Sequence, residues 1–423
     1  MADAAALPAL AVVYDSGAAS PVEIATAARG LCRPVLVADP AAPAVQGSLP
    51  VLRALGTLVE HPAGTDPDVT VRRLKELGVT AVTTFADPCL DLTAALAEAL
   101  GVRFHTPETA LALGDKLRQR SRLAKAGLPA VRYAKVSEPG DIDGALAEVG
   151  LPAVLKPRHS AGSRNTLPVA TPREFRTVAG ELLALGERGL IAEEYLTGDP
   201  TVAGERWGDY VSVESVVDGE RITHLGVTGK EPLAEPFREG GIFFPATLGA
   251  GLSGEILERT AGALRALGIR SGVTHTEFKL TAGGPRLIEV NGRLGGFITD
   301  LVGRATGVSP LRIALENALG LPAPVPERID TTAARVTFQH LFQPPVTATA
   351  VASVTGVKET RKLPGVARVE LVRRPGDPVD WRQGTQSFTA IVYGDAPDHT
   401  ALAATLAAVD AGLSITYDGE ELP

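Results

Sequence analysis

Aromatic residues are scarce in this chain of 423 residues, at 4% of the total, and only two of them are tryptophan. Binding of single-stranded nucleic acid draws on aromatic platforms in series, so that class of partner finds little to stack on. Positive charge is not in excess either. The formal net charge is -8, which opposes a phosphate backbone, and no basic stripe overrides it. The two cysteines, Cys32 and Cys89, are too isolated for a disulfide framework or a zinc site and read as small core residues of a reducing compartment. No apolar run approaches the roughly 18 residues of a membrane span. The opening M-A-D-A-A-A-L-P has neither a basic n-region nor a long apolar core, so the expectation is a cytoplasmic protein without a signal peptide. Two phosphate-binding fingerprints are also missing. No G-x-G-x-x-G follows the first strand, and no G-x-x-x-x-G-K-[ST] loop occurs.

What is there is ample apolar material, 45% of residues, in a length that suits roughly two to four domains. Over residues 1–113, apolar runs at 9–15, 34–39 and 79–85 alternate with helical patterns at 21–30, 69–77 and 90–100, which predicts an open α/β sheet. Asp15-Ser16-Gly17 reads as a strand-to-helix turn, with a ligand crevice at the carboxyl edge as the alternative. Residues 111–126 read as one helix opened by Gly114-Asp115-Lys116, with Asp115 as its cap. Residues 150–157 form an apolar strand ending in Lys156, a costly position unless the ammonium meets an anion or snorkels out. The donor-rich loop 158–166 follows, of the kind that wraps anions and is ordered by them. Residues 190–196 are a further strand with an acidic pair at its end. A hairpin over 210–217 and 221–228 leads to a charged, aromatic loop at 229–245, which suits a substrate rim. Arg238 within it is either a bidentate carboxylate clamp or an ordinary surface arginine. An amphipathic helix covers 255–267 and another 310–319. A proline-rich linker at 321–326 is followed by short strands (334–341, 346–354, 367–372, 388–393) and a last helix at 399–409.

The most specific stretch is 273–296, V-T-H-T-E-F-K-L-T-A-G-G-P-R-L-I-E-V-N-G-R-L-G-G. It predicts two strands joined by a turn, and side chains two apart on a strand share a face. His275, Glu277 and Lys279 then project together, as do Glu289, Asn291 and Arg293, while Phe278, Leu280, Leu287, Ile288 and Val290 pack the core. Taken alone, these charges fit either a cross-strand ion pair on a solvated face or a hard-oxygen site for Mg²⁺ with phosphates completing the shell.

The phrase E-V-N-G-R-L-G-G resembles the metal-binding signature of the ATP-grasp superfamily. The resemblance extends in motif order over residues 1–319, and the last section resembles the C-terminal domain of the L-amino acid ligase branch. It implies an α/β and α+β multidomain protein of ATP-grasp fold. The units implied are 1–113 (N-terminal open α/β), 114–210 (small subdomain with a mobile phosphate loop), 211–325 (large subdomain with the metal site) and 326–423 (C-terminal α+β lid). It further implies ATP and Mg²⁺ as cofactors, with Mn²⁺ able to substitute. Glu277, Glu289 and Asn291 would hold the metal. Arg293 would serve the transferred phosphoryl; Arg238, the clamp read from the rim itself, is the second catalytic candidate, on the substrate carboxylate. Lys116, Lys156, His159, Ser160 and Ser163 would meet the nucleotide phosphates, and Glu193, Glu194 and Leu196 the adenine. An insertion at 199–207 displaces the acid expected for the ribose, for which Asp209 is the first choice. The loop after Lys156 is also poorer in glycine than in biotin carboxylases. The implied reaction joins an amino acid carboxylate to an amine, from a second amino acid or peptide, through an acylphosphate with release of ADP. A biotin- or purine-type carboxylase and a nucleotide-binding module without turnover are the alternatives. Neither nucleic acid nor membrane is an expected partner, and a homodimer is the expected assembly.

Overall fold

The computed structural model describes residues 7–129, 131–187, 189–322 and 335–419. Its first sheet is parallel, made of β1 (Ala9–Val13), β2 (Arg33–Ala38), β3 (Thr57–Glu60) and β4 (Val79–Thr84) in the order β3-β2-β1-β4. All five residues of β1 are buried, as befits a strand covered on both faces. The order reverses between β1 and β4, and such a switch point leaves a crevice beyond the carboxyl ends of the two strands. The turns after β1 and β4 pass so closely there that a Cβ on Gly17 would lie 2.3 Å from the Phe85 carbonyl oxygen.

The single helix expected at 111–126 is two, Pro107–Gly114 and Lys116–Lys125, broken at Asp115. The break has a local cause. Asp115 is extended, its carboxylate accepts from the Leu117 amide at 3.0 Å, and Arg158 donates to it through Nε at 3.1 Å. This second helix thus starts where a long-range ion pair fixes its cap, and its first residue is Lys116.

The second sheet is antiparallel: β5 (Tyr133–Val136), β6 (Ala153–Pro157), β7 (Leu167–Val169) and β8 (Leu190–Glu194) in the order β5-β8-β6-β7. Helices Ile142–Val149 and Pro172–Ala184 pack on it around Val136, Leu155, Phe175 and Leu190. The third sheet holds β9 (Tyr210–Asp218), β10 (Arg221–Lys230), β11 (Gly241–Phe244), β12 (Ser271–Thr281), β13 (Gly284–Asn291), β14 (Val336–Phe342) and, past β15 (Ala350–Thr355), β16 (Val366–Leu371) and β17 (Ala390–Ala396). Their order is β13-β12-β9-β10-β11-β14-β17-β16, while β15 pairs with β18 (Ser414–Asp418). One face of this sheet joins the first sheet and helices Ile298–Thr306 and Pro310–Ala318 in a common core. The opposite face packs on helix His399–Gly412 through Leu402, Leu406 and Val409.

Two expectations change. The rim expected as loop to 245 ends in strand β11, because Ile242 and Phe244 point into one core and Phe243 into the other. The C-terminal strands β14, β17 and β16 extend the same sheet through the β11–β14 pairing. Residues 323–326 of the expected linker lie outside the described residues. Among the described residues, no helix is long and apolar enough to cross a membrane.

Candidate active site

A cleft of about 400 Å³ opens where the three sheets meet. Its floor comes from β9, β10, β12 and β13, its roof from β6, β8 and the loop after Lys156, and its far end from the switch-point turns of the first sheet.

The floor carries the acidic pair. In the β12–β13 ladder Glu277 stands opposite Glu289 and His275 opposite Asn291, and all four line the cleft. A bulge between Glu277 and Phe278 shifts the register, so Ile288 lines the cleft beside Glu289 and does not pack the core as its place in the alternation implies. Glu289 meets Lys116 Nζ at 3.0 Å, and Glu277 accepts from His275 Nε2 at 3.0 Å. His275 also bonds Glu214 through Nδ1. Burial disfavours its charge, yet Glu214 and Glu277 lift its pKa to about 9, so the ring is a cation at neutral pH. Burial would raise Glu277 in turn, but His275, Lys230 and Arg293 hold it at about 2. Asn291 is 7% exposed, and its side chain makes no hydrogen bond among the described residues. Two carboxylates and a free amide oxygen on one floor fit a hard divalent cation such as Mg²⁺.

The roof carries the cations. Lys156 Nζ lies 2.8 Å from Glu193, whose two oxygens also accept from Arg120 Nε at 2.8 Å and Nη2 at 3.0 Å. Burial pushes the Glu193 carboxyl up, but Arg120 and Lys156 bring it down to about 2. Both Glu193 oxygens are therefore engaged by cations, and those of Glu194 are engaged by Arg132 Nε at 3.1 Å and Arg286 Nη2 at 2.9 Å, which leaves Tyr195 and Leu196 as the open part of that wall. Lys116 donates to the Ser160 carbonyl at 2.5 Å, tying the second helix to the loop. Ser160 and Ser163 line the cleft, and the left-handed turns at Gly162, Ser163 and Asn165 curl the loop over it. The loop is docked on protein as well: the Thr385 amide donates to the Gly162 carbonyl at 2.8 Å, and Asn165 Nδ2 to Glu187 at 2.7 Å.

Arg293 sits between the acidic pair and the switch point, with Nε donating to Asp87 Oδ2 at 3.0 Å. Three expected site residues are not on the walls. His159 faces the Gly114 carbonyl at 2.8 Å. Asp209 lies behind Lys279, which it pairs at 2.6 Å and which itself lines the cleft. Arg238 is 2% exposed and donates to the carbonyls of Glu235 and Pro344, each at 2.7 Å. It ties the rim to the C-terminal part of the chain. The left-handed conformation of Phe237 (φ 57) turns the chain there, so its neighbours Phe237 and Glu239 face the cleft.

Several wall residues were not singled out in the sequence. Lys230, paired with Glu239 at 2.5 Å, ends a buried strand just as Lys156 does, and the same argument finds it. Arg120 lies four residues after Lys116 on one helix face. Asp87 follows β4, where the switch-point rule puts ligands, and Ser16 and Gly17, in the strand-to-helix turn expected after β1, line the same end of the cleft.

No family model matches the chain. By sequence it is similar to an uncharacterized protein of Sinorhizobium fredii, 30% identical over 275 residues, which are 64% of this chain and 55% of that protein. It is also similar to the alanine–anticapsin ligase of Bacillus subtilis, 29% identical over 242 residues, 54% of this chain and 51% of the ligase. The chain spans about half the length of these curated relatives. Among solved structures, the L-amino acid ligase from Bacillus licheniformis matches with a TM-score of 0.79 over 97% of this chain and 99% of that one, at 22% identity. With its acidic hairpin, its two cleft lysines and an architecture shared almost end to end with that ligase, the chain has the ATP-grasp fold.

Proposed function

We propose that this protein is an ATP-dependent ligase that joins the carboxylate of an amino acid to an amine, supplied by a second amino acid or peptide, and releases ADP and phosphate. The observation that carries the reading is one cleft in which Lys116, Lys156 and Arg293 converge on the opposed Glu277 and Glu289. Phosphoryl transfer asks for positioning and charge neutralisation more than for a nucleophilic side chain, and this wall set has that character.

The division of labour follows from position. Glu277, Glu289 and Asn291 would hold Mg²⁺ or Mn²⁺, which when bound neutralises charge on the nucleotide phosphates. Lys116 and Lys156 reach the phosphates from the roof, and the stretch Glu193–Leu196, open at Tyr195 and Leu196, takes the purine edge. The amino acid lies toward the switch point, where Ser16–Ala18 and Asp87 meet Arg293. Its carboxylate oxygen attacks the γ-phosphorus, the bond to the β-phosphate oxygen breaks, and ADP departs. The amine then attacks the acyl carbon, and phosphate leaves with the amine's proton. Arg293 neutralises the moving phosphoryl group, aimed by Asp87. A carboxyl phosphate is open to hydrolysis, so water must be kept out until the amine arrives. Phe237, Phe297 and the segment carrying Thr385 and Gln386 border that end of the cleft. Leu233, Phe237 and Phe297 also form an apolar lining suited to a side chain, which the bicarbonate of a carboxylase does not need.

The units 1–113, 114–210, 211–325 and 326–423 each contribute to the cleft under this reading. A homodimer is the proposed assembly, tested by sedimentation, and the cytoplasm, where ATP and amino acids meet, is the proposed location, tested by cell fractionation. The activity is tested by phosphate release over a panel of amino acids, singly and in pairs. Hydroxylamine should trap the intermediate as a hydroxamate, with ADP as coproduct. Release of AMP and pyrophosphate, a requirement for bicarbonate without any amino acid, or nucleotide binding with no turnover on any pair would overturn it.

A further inference from the structure

Glu214 is 1% exposed, does not line the cleft, and yet carries a carboxylate in the middle of β9. A buried carboxylate costs stability unless it is paired, so its partners explain its presence. There are two. One oxygen meets Nδ1 of His275, its cross-strand neighbour on β12, and His275 in turn donates Nε2 to Glu277 at 3.0 Å. The other oxygen accepts from the Gly295 amide at 3.1 Å. Gly295 is two residues past Arg293, and no other residue fits there. A Cβ would lie 2.4 Å from His275 Nδ1 and 2.8 Å from Glu214 Oε1. One carboxylate thus braces both the side chain of Glu277 and the turn that follows Arg293.

We propose that Glu214 is a positioning residue for the metal pair: through His275 it fixes the orientation of Glu277, and through Gly295 it fixes the turn that presents Arg293. The inference rests on the reading of Glu277, Glu289 and Asn291 as the metal site. A free glutamate side chain samples several rotamers, and only some turn an oxygen toward Glu289. The ring of His275, gripped at both nitrogens, selects among them. Supporting carboxylate–histidine contacts behind metal ligands typically change metal affinity by about 10- to 100-fold when removed. A purely structural Glu214 would lower stability and leave the metal affinity of the folded fraction unchanged.

The experiment measures Mn²⁺ binding to the ADP complex by electron paramagnetic resonance in the wild type, Glu214→Gln, His275→Asn and the double variant. Affinity for ADP in the presence of a chelator reports the integrity of the cleft. Each single variant should weaken Mn²⁺ binding by about tenfold or more and leave the metal-free ADP affinity within about twofold, and the double should be no weaker than the worse single, because the two residues act as one chain. Unchanged Mn²⁺ affinity in folded Glu214→Gln, or effects that multiply in the double, would overturn the proposal. If Glu214→Gln does not fold, His275→Asn decides alone, since it cuts the same chain in the middle. A Glu289→Gln control separates the two levels. If it binds Mn²⁺ as the wild type does, the metal-site reading falls and this inference with it.

Discussion

Lys156→Met separates the two tasks of the buried roof. Lys156 is 7% exposed and lies 2.8 Å from Glu193, but Glu193 is also gripped by Arg120 through two bonds of 2.8 and 3.0 Å. Removing the ammonium therefore leaves a neutral Arg120–Glu193 pair and no orphan charge, and methionine fills the place of the lysine stem. The stability loss should stay within about 1–2 kcal/mol, in the range of an ordinary substitution. The nucleotide, by contrast, loses a hydrogen bond to a charged group, worth about 1.5–3 kcal/mol, so its Kd should rise by about 10- to 150-fold. Glu193→Gln is the opposite case. It strands Arg120 and Lys156 together in a buried site, and the loss should reach about 3–5 kcal/mol. Calorimetric titration with ADP and urea unfolding of both variants give the four numbers needed. An ADP affinity of folded Lys156→Met within about threefold of the wild type, well short of one charged hydrogen bond, would refute the phosphate role. A Glu193→Gln protein as stable as the wild type would refute the account of the triad.

Glu289→Gln removes one charge of the metal pair and should reduce phosphate release by orders of magnitude with the fold intact, as seen by circular dichroism; wild-type turnover would contradict the site. Gly384 holds φ 68, and a Cβ there would lie 2.0 Å from the Gly162 carbonyl oxygen, so Gly384→Ala should lift the phosphate loop off its seat. Limited proteolysis should then cut within 158–166 faster with and without nucleotide; an unchanged rate would count against the docking. His340 bonds Glu231 and Asp410, each at 2.9 Å; burial lowers its pKa, but these partners raise it to about 10. A raised folded pKa contributes stability in full below the unfolded value, about 6.5, and the contribution is lost as pH climbs toward 10. His340→Gln should thus destabilise most near pH 6 and least near pH 10 in thermal melts; a pH-independent difference would exclude the charged histidine.

What the sequence made legible is what is local. The hairpin puts Glu277 opposite Glu289 through alternation alone, and its only departure, the bulge that brings Ile288 into the cleft, leaves no mark in a pattern of apolar and polar letters. Lys156 was marked by cost, since a lysine inside an apolar strand needs an anion. Arg238 failed the same kind of reasoning for a local cause with no sequence signature, the left-handed Phe237. His159 and Asp209 sit one layer behind the wall, where motif position and wall position part company. The phosphate loop was expected to owe its order to phosphates, because its small polar residues bury little. It is seated on residues 382–385, more than two hundred positions downstream, and no local pattern carries that contact.

The order of contacts in the cleft gives this division a physical meaning. The acidic pair is built within one hairpin of the third sheet, whereas Lys116, Lys156 and Arg293 are supplied or aimed by other parts of the chain. Lys116 and Lys156 belong to the second sheet and the helix before it, and Arg293 is aimed by Asp87, 206 residues away in the turn that follows the first sheet's β4. The hairpin carries its carboxylates wherever it folds, but alone they repel one another across the ladder. His275, backed by Glu214 on the adjacent strand, and Lys230 at the end of β10 are counter-charges that the third sheet makes for itself. The remaining neutralisation arrives only when the three sheets close on each other, and the closed arrangement of cations is the one a polyphosphate needs. Docking of the sheets and assembly of the phosphate site are therefore one event, held by the same ion pairs: Lys116–Glu289, Arg158–Asp115 and Arg293–Asp87.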